Sequence, residues 1–256
     1  MHGEIAIGAP LLLGFLLTLV RVAGVFVFVP IPGVSTVVSP ARVVLALSIT
    51  LALYSEWPVV AAEISTGQFI YWISLEAALG AGIGLAAGFA SEAFAVGAQA
   101  MGMHAGFAFA STIDPSTQAD STVLGVLSQI TAGLLFFTLG LDREVIRVFA
   151  RSLQTCPPGA FALNKGAAEH VLLAGSAMFS TGLRLALPVL AALLMIDISL
   201  ALLGRINAQL HLLTIAFPAK MIVALVLLGW LALLFPTLFR GTFETTSRAA
   251  QGLIAR

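Results

Sequence analysis

GAQAMGMHAGFAFASTIDPSTQADST, residues Gly97 to Thr122, stands between two long apolar runs and interrupts both. Its glycines, methionines, phenylalanines, His104 and the Asp114-Pro115 step do not continue the flanking pattern. Two readings are open: an ordinary loop between membrane helices, or a re-entrant piece lining an internal path. Irregular backbone at membrane depth survives only against protein or water, because lipid cannot satisfy its N–H and C=O groups.

Working outward, the rest of the 256 residues is 59% hydrophobic and 9% charged. Mean hydropathy is +1.05, whereas soluble domains are roughly 45–50% apolar and about 25% charged. This composition specifies an integral membrane protein. Formal net charge is zero and no basic block exists, so nothing recommends a nucleic-acid partner. The single cysteine, Cys156, excludes an internal disulfide and any multi-cysteine metal site. Only His2 and Glu4 precede the first apolar run, without the basic region of a signal peptide, so that run is expected to be retained.

At about 20 apolar residues per crossing, six segments qualify: Ile5 to Val29, Ala41 to Trp57, Phe69 to Val96, Val123 to Leu141, Val171 to Leu203 and Leu212 to Phe239. The expected fold is all-α and membrane-embedded. The third and fifth segments exceed one perpendicular crossing and should tilt, bend or project; Pro188 should kink the fifth. No repeat or low-complexity tract is visible, so residues 1–256 read as one domain, with 240–256 a polar tail. If all six segments cross, Arg143, Arg147, Arg151, Lys165, Arg240, Arg248 and Arg256 lie opposite Arg42 and Arg205. That asymmetry places both termini in the cytoplasm.

Six ionisable residues fall inside the apolar runs: Arg21, Glu76, Glu92, Arg184, Asp197 and Lys220. A charged side chain at a helix centre costs roughly 2.5–3.5 kcal/mol to insert, so each should face protein or water and have a partner, from another segment or another subunit. They read either as paired charges at helix or subunit contacts, or as an ion path. Arg184 and Asp197 are too far apart along one helix to pair, at about 1.5 Å per residue. Gly80, Gly84 and Gly88 form a small-residue stripe that lets another helix approach closely. The histidines His2, His104, His170 and His211 match no metal spacing, and no phosphate-cradling loop is present. No enzyme signature, metal site or cofactor is expected.

Within the interrupting stretch, Met101, Met103, Phe107 and Phe109 supply deformable apolar bulk beside Gly102 and Gly106. Such side chains could block water and ions as a hydrophobic constriction does, or simply pack into a core.

Taken in order, several short runs resemble the FliR family of the flagellar type III export gate, which also includes the T subunits of injectisomes. They are Arg21 with Pro30 and Pro40-Ala41-Arg42; Glu76 leading into Gly80, Gly84 and Gly88; and Gln99 to Pro115. Further on come Leu134-Leu135-Phe136-Phe137, Pro157-Pro158-Gly159, Leu185-Ala186-Leu187-Pro188, Asp197 with Arg205, and Phe217-Pro218-Ala219-Lys220. The chain departs from the family at Asp142, at Ala208 to His211 and at Ala216. The resemblance implies one copy of this chain assembling with several copies of the P and Q subunits (FliP, FliQ), and with FlhB and FlhA, in the bacterial inner membrane at the flagellar basal body. It implies bent helical hairpins in a helical assembly, and a channel for unfolded flagellar proteins that is driven by partners. It also makes residues 97–122 a channel plug, with Phe107, Phe109 and Ile113 at the constriction and Met101 and Met103 in support. The rival expectation is a small-solute secondary transporter with broken helices near Pro188 and Asp197.

Overall fold

A computed structural model describes residues 9–31, 40–58, 60, 64–107, 123–162, 165–206 and 212–254. Proline sets where several of its helices begin. Pro10 and Pro40 sit in the first turns of α1 (Ala9–Phe28) and α2 (Pro40–Ala52), where the missing N–H has no helical acceptor to lose. α3 (Thr66–Ala105) starts on a side-chain cap, the Gln68 N–H donating to Ser65 Oγ at 3.3 Å. After it come α4 (Val123–Thr138), α5 (Leu141–Thr155), α6 (Lys165–Ile206), α7 (Leu212–Ala232) and α8 (Phe235–Ile254). Among the described residues there is no strand, and the fold class is all-α and membrane-embedded.

Among the described residues α1, α3 and α6 are each long and apolar enough to cross a membrane, and the number of candidate spans reaches five if α4 with α5 and α7 with α8 are each one broken span, where the sequence offered six apolar segments. The second apolar segment folds into the 13 residues of α2, about 20 Å at 1.5 Å per residue, too short for a hydrocarbon core about 30 Å thick. A further difference lies at residues 141–155, where the connection after the fourth segment is an amphipathic helix. Leu141, Val145, Val148, Phe149, Ser152 and Leu153 are buried on one face of α5, while Arg143, Arg147 and Arg151 recur every fourth residue on the exposed one. The polar tail is likewise helical through Ile254 as the continuation of α8.

Contacts divide the chain into two compact units, each built from separated stretches. Unit 1 takes Met1–Phe89, Gly140–Gly175 and Phe243–Arg256; unit 2 takes Ala90–Leu139 and Ser176–Thr242. In unit 1 the glycine stripe of α3 lies directly against the backbone of α1. A Cβ placed on Gly88 would lie 2.7 Å from the Phe28 carbonyl oxygen, and Gly80 and Gly84 are tighter still against the carbonyls of Arg21 and Val25. Gly24 answers from α1, where an added Cβ would lie 2.9 Å from the Ala81 nitrogen. Bare backbone on both sides lets the axes approach to a distance that any side chain would prevent. α2 is tied to the same helix by Arg42, whose Nη1 donates to the carbonyls of Phe26 and Val27 at the C-terminal end of α1. There a cation meets the negative end of the helix dipole.

Unit 2 has its own core: Ala98, Met101 and Ala105 of α3, Leu124 of α4, Ala186, Val189 and Leu193 of α6, and Ala224 of α7. Small residues again mark the closest approach, since a Cβ on Gly182 would lie 2.6 Å from the Ala93 carbonyl oxygen.

Candidate functional site

Glu76 and Arg21 are both fully buried, 55 positions apart in sequence, and joined at 2.5 Å between Oε2 and Nε. Their other polar atoms are bonded to protein. Arg21 Nη1 donates to the Ser152 carbonyl at 2.9 Å and to Ser152 Oγ at 3.3 Å, and Nη2 donates to the Cys156 carbonyl at 2.9 Å. The guanidinium thereby closes the C-terminal end of α5, adding a cation at the negative end of the helix dipole, where the Ser152 carbonyl also accepts the Cys156 N–H at 3.0 Å. The other carboxylate oxygen, Oε1, accepts the Gly159 N–H at 2.8 Å.

That N–H is presented by a turn written in the sequence. Ala160 N–H donates to the Pro157 carbonyl at 2.9 Å, and Gly159 has φ +89°. Proline at the second position and glycine at the third are the residues a type II turn requires. The Trp72 ring lies 3.1 Å from where a Gly159 Cβ would be, so space and dihedral both exclude a larger residue. Arg21, Glu76 and Pro157-Pro158-Gly159, three separate elements of the resemblance, thus form one buried cluster in unit 1. A buried charge pair whose other nitrogens and second oxygen are hydrogen-bonded in this way offsets the desolvation that an isolated buried charge would suffer.

In unit 2 the end of α3 decides where the interrupting stretch begins. Residues 97–105 are helical, so Met101, Gly102 and Met103 are not in a loop. Gly106, at φ +88°, stops the helix; its N–H donates to Met103, and the Phe107 N–H reaches back to the Gly102 carbonyl at 3.0 Å. This six-residue return bond is a Schellman cap. Phe107 then packs against the core of Met101, Ala105 and Leu193, and the Phe217 ring, 2.7 Å from where a Gly106 Cβ would be, fills the space that glycine leaves. Lys220, one turn past Phe217, forms an ion pair with Asp197 of α6, with Lys220 mostly buried and Asp197 half exposed.

The sequence-predicted residues therefore separate into groups. Met101 is buried and lines a cavity of about 310 Å³ with Phe94, Leu124, Leu185 and Leu228; Met103 is 57% exposed. Phe109 and Ile113 lie outside the described residues. Of the six charges inside the apolar runs, Arg21 pairs with Glu76 and Lys220 with Asp197. Within this chain Glu92 and Arg184 are exposed on the outer faces of their helices, because α3 and α6 turn small and apolar residues toward the core of unit 2. Sequence reasoning missed the roles of Ser152, Gly159 and Arg42. The Pro-Pro-Gly step was the available signal for a turn, but nothing local announces that its N–H meets Glu76. Among the described residues no group of His, Cys, Asp and Glu is arranged to hold a metal.

Known proteins share this chain's pattern over nearly its full length. Residues 12–246 match the family described as bacterial export proteins, family 1. The chain is 30% identical over 213 residues to the flagellar biosynthetic protein FliR of Escherichia coli K12, covering 82% of this chain and 81% of that one. It is 28% identical over 217 residues to FliR of Pectobacterium carotovorum (85% and 83%), and 23% identical over 244 residues to FliR of Bacillus subtilis 168 (94% of each). The matched span includes the Arg21–Glu76–Gly159 cluster, the capped end of α3 and the Asp197–Lys220 pair, and this chain belongs to family 1 of the bacterial export proteins, the FliR family.

Proposed function

We propose that this chain is a non-enzymatic core subunit of the flagellar export apparatus in the bacterial inner membrane, at the basal body. It assembles with FliP and FliQ, and with FlhB and FlhA, and forms part of the channel through which unfolded flagellar proteins leave the cytoplasm. The observation that carries the reading is the family match over residues 12–246, reinforced by near-complete coverage of FliR proteins from distant bacteria. The cap at Gly106 and Phe107 supports the plug role: it anchors one end of the segment between α3 and α4 to a packed core, so the segment starts from a fixed point. In this reading Phe107, Phe109 and Ile113 close the channel, with Met101 and Met103 behind them. Partners supply the energy for export.

The test is composition. The tagged chain, extracted in mild detergent from its own host, is examined by native mass spectrometry. One copy of this chain with several copies of two other small membrane proteins is the expected result. A monomer or homodimer, together with solute transport by the purified chain in liposomes, would replace the export reading with that of a secondary transporter.

A further inference from the structure

Arg184 stands on the wrong face of α6 for its own fold. The core residues of that helix in unit 2 are Ala186, Val189 and Leu193, with Gly182 and Leu185 beside them. At 3.6 residues per turn Arg184 points about 200° around the helix from the centre of that stripe. It is exposed, and no carboxylate among the described residues pairs with it. On the same side the surface is apolar: Leu187 is 51% exposed, Leu194 60% and Ile198 53%.

Lipid is a poor cover for this face, because hydrocarbon leaves the guanidinium midway along α6 without a counter-charge. A protein partner supplies one. The chemistry at position 184 states what that protein offers. Besides the guanidinium, the site has a backbone acceptor, because Pro188 has no N–H to give the Arg184 carbonyl four residues back. Ala177, Ser180 and Ala191 lie on the same side, so a second helix can come close at this level.

We infer that the outer face of α6 around Arg184 is the seat of a membrane helix from another subunit, one that presents a carboxylate to the guanidinium and a hydroxyl or amide donor about one turn away. The inference rests on the chain being one subunit of a hetero-oligomer. It adds the face, the residue and the charge of the partner. Arg184 acts there as a register pin: an apolar helix slides along an apolar face at little cost, but not past a desolvated ion pair.

The experiment places a photo-reactive phenylalanine analogue at Leu187 in the otherwise unaltered chain, in its own host, and identifies the adduct by mass spectrometry. A parallel set, Arg184→Glu, Arg184→Leu and Arg184→Lys, is purified through the tag. The adduct is expected on a helix of a different subunit within about one turn of an Asp or Glu. Recovery of that subunit is expected to fall tenfold or more in Arg184→Glu, by less in Arg184→Lys, and to return when the partner's carboxylate is exchanged for Arg. An adduct on lipid or on a second copy of this chain overturns the inference, as does unchanged recovery of every subunit with Arg184→Glu. Failure of the unaltered chain to bring down any other subunit would instead overturn the hetero-oligomer reading, and the two failures are distinguishable.

Discussion

Burying one arginine and one glutamate works at positions 21 and 76 because all three guanidinium nitrogens and both carboxylate oxygens hold partners. Arg21 gives one nitrogen to Glu76 and the others to the end of α5, and Glu76 keeps its second oxygen for Gly159. The cluster is thus a three-way fastener among α1, α3 and the turn after α5. Glu76→Gln leaves the arginine charge uncompensated, and Arg21→Met leaves the carboxylate so; each should lower stability by roughly 3–5 kcal/mol. The double variant Arg21→Met/Glu76→Met should lose clearly less than the sum, since no buried charge is left alone. Unfolding midpoints in detergent measure the cycle, and strictly additive losses would show that the two residues do not act as a pair.

At the scale of elements, contact between α1 and α3 depends on what is missing at Gly80, Gly84 and Gly88. Any Cβ there strikes a carbonyl of α1 rather than a side chain that could swing aside. Gly84→Val should therefore cost on the order of 1–3 kcal/mol or more through overpacking. Gly241→Ala in α8, where an added Cβ meets nothing within 4 Å, should be neutral or stabilise by up to about 1 kcal/mol through helix propensity. Thermal stability of the two purified variants, compared side by side, checks the contrast; equal effects would mean that the stripe is not a close-contact surface. The stripe and the turn at Pro157-Pro158-Gly159 were both legible in sequence, because each is a local pattern of residue types. The partner of each was not, since neither pattern says which helix or which carboxylate it meets.

For the molecule as a whole, the informative feature is that both units are stitched from distant stretches of chain. The segment proposed as the plug leaves from inside one such unit, at a cap whose next residue, Phe107, packs against the core of unit 2. Phe107→Ala together with Phe109→Ala should leave the assembled complex intact, because the cap is made by backbone groups and by Gly106. The same pair should make membranes holding the complex leak ions, because apolar bulk at the constriction is lost. Conductance of complexes in planar bilayers, set against their subunit composition, is the measurement; correctly assembled complexes with unchanged conductance would remove these two phenylalanines from the barrier.

By itself the sequence determined the membrane class, the helical content, the position of α1, the helix-starting prolines and the glycines at turns, since all follow from composition and from patterns within a few residues. The amphipathic α5 was equally determined, by arginines every fourth residue opposite Val145, Phe149 and Leu153, though it was read as a connection. Only the tertiary structure decided which faces of α3 and α6 turn inward, and so which of six similar charges are enclosed. The physical reason is that these two helices are apolar nearly all round. A water-soluble helix announces its inner face by hydropathy. In lipid the inner face is chosen by close packing of Gly and Ala and by ion pairing between distant positions. Arg21 and Glu76 could therefore be recognised one by one as expensive residues, but their union, and the exposure of Glu92 and Arg184, existed only once the chain had folded.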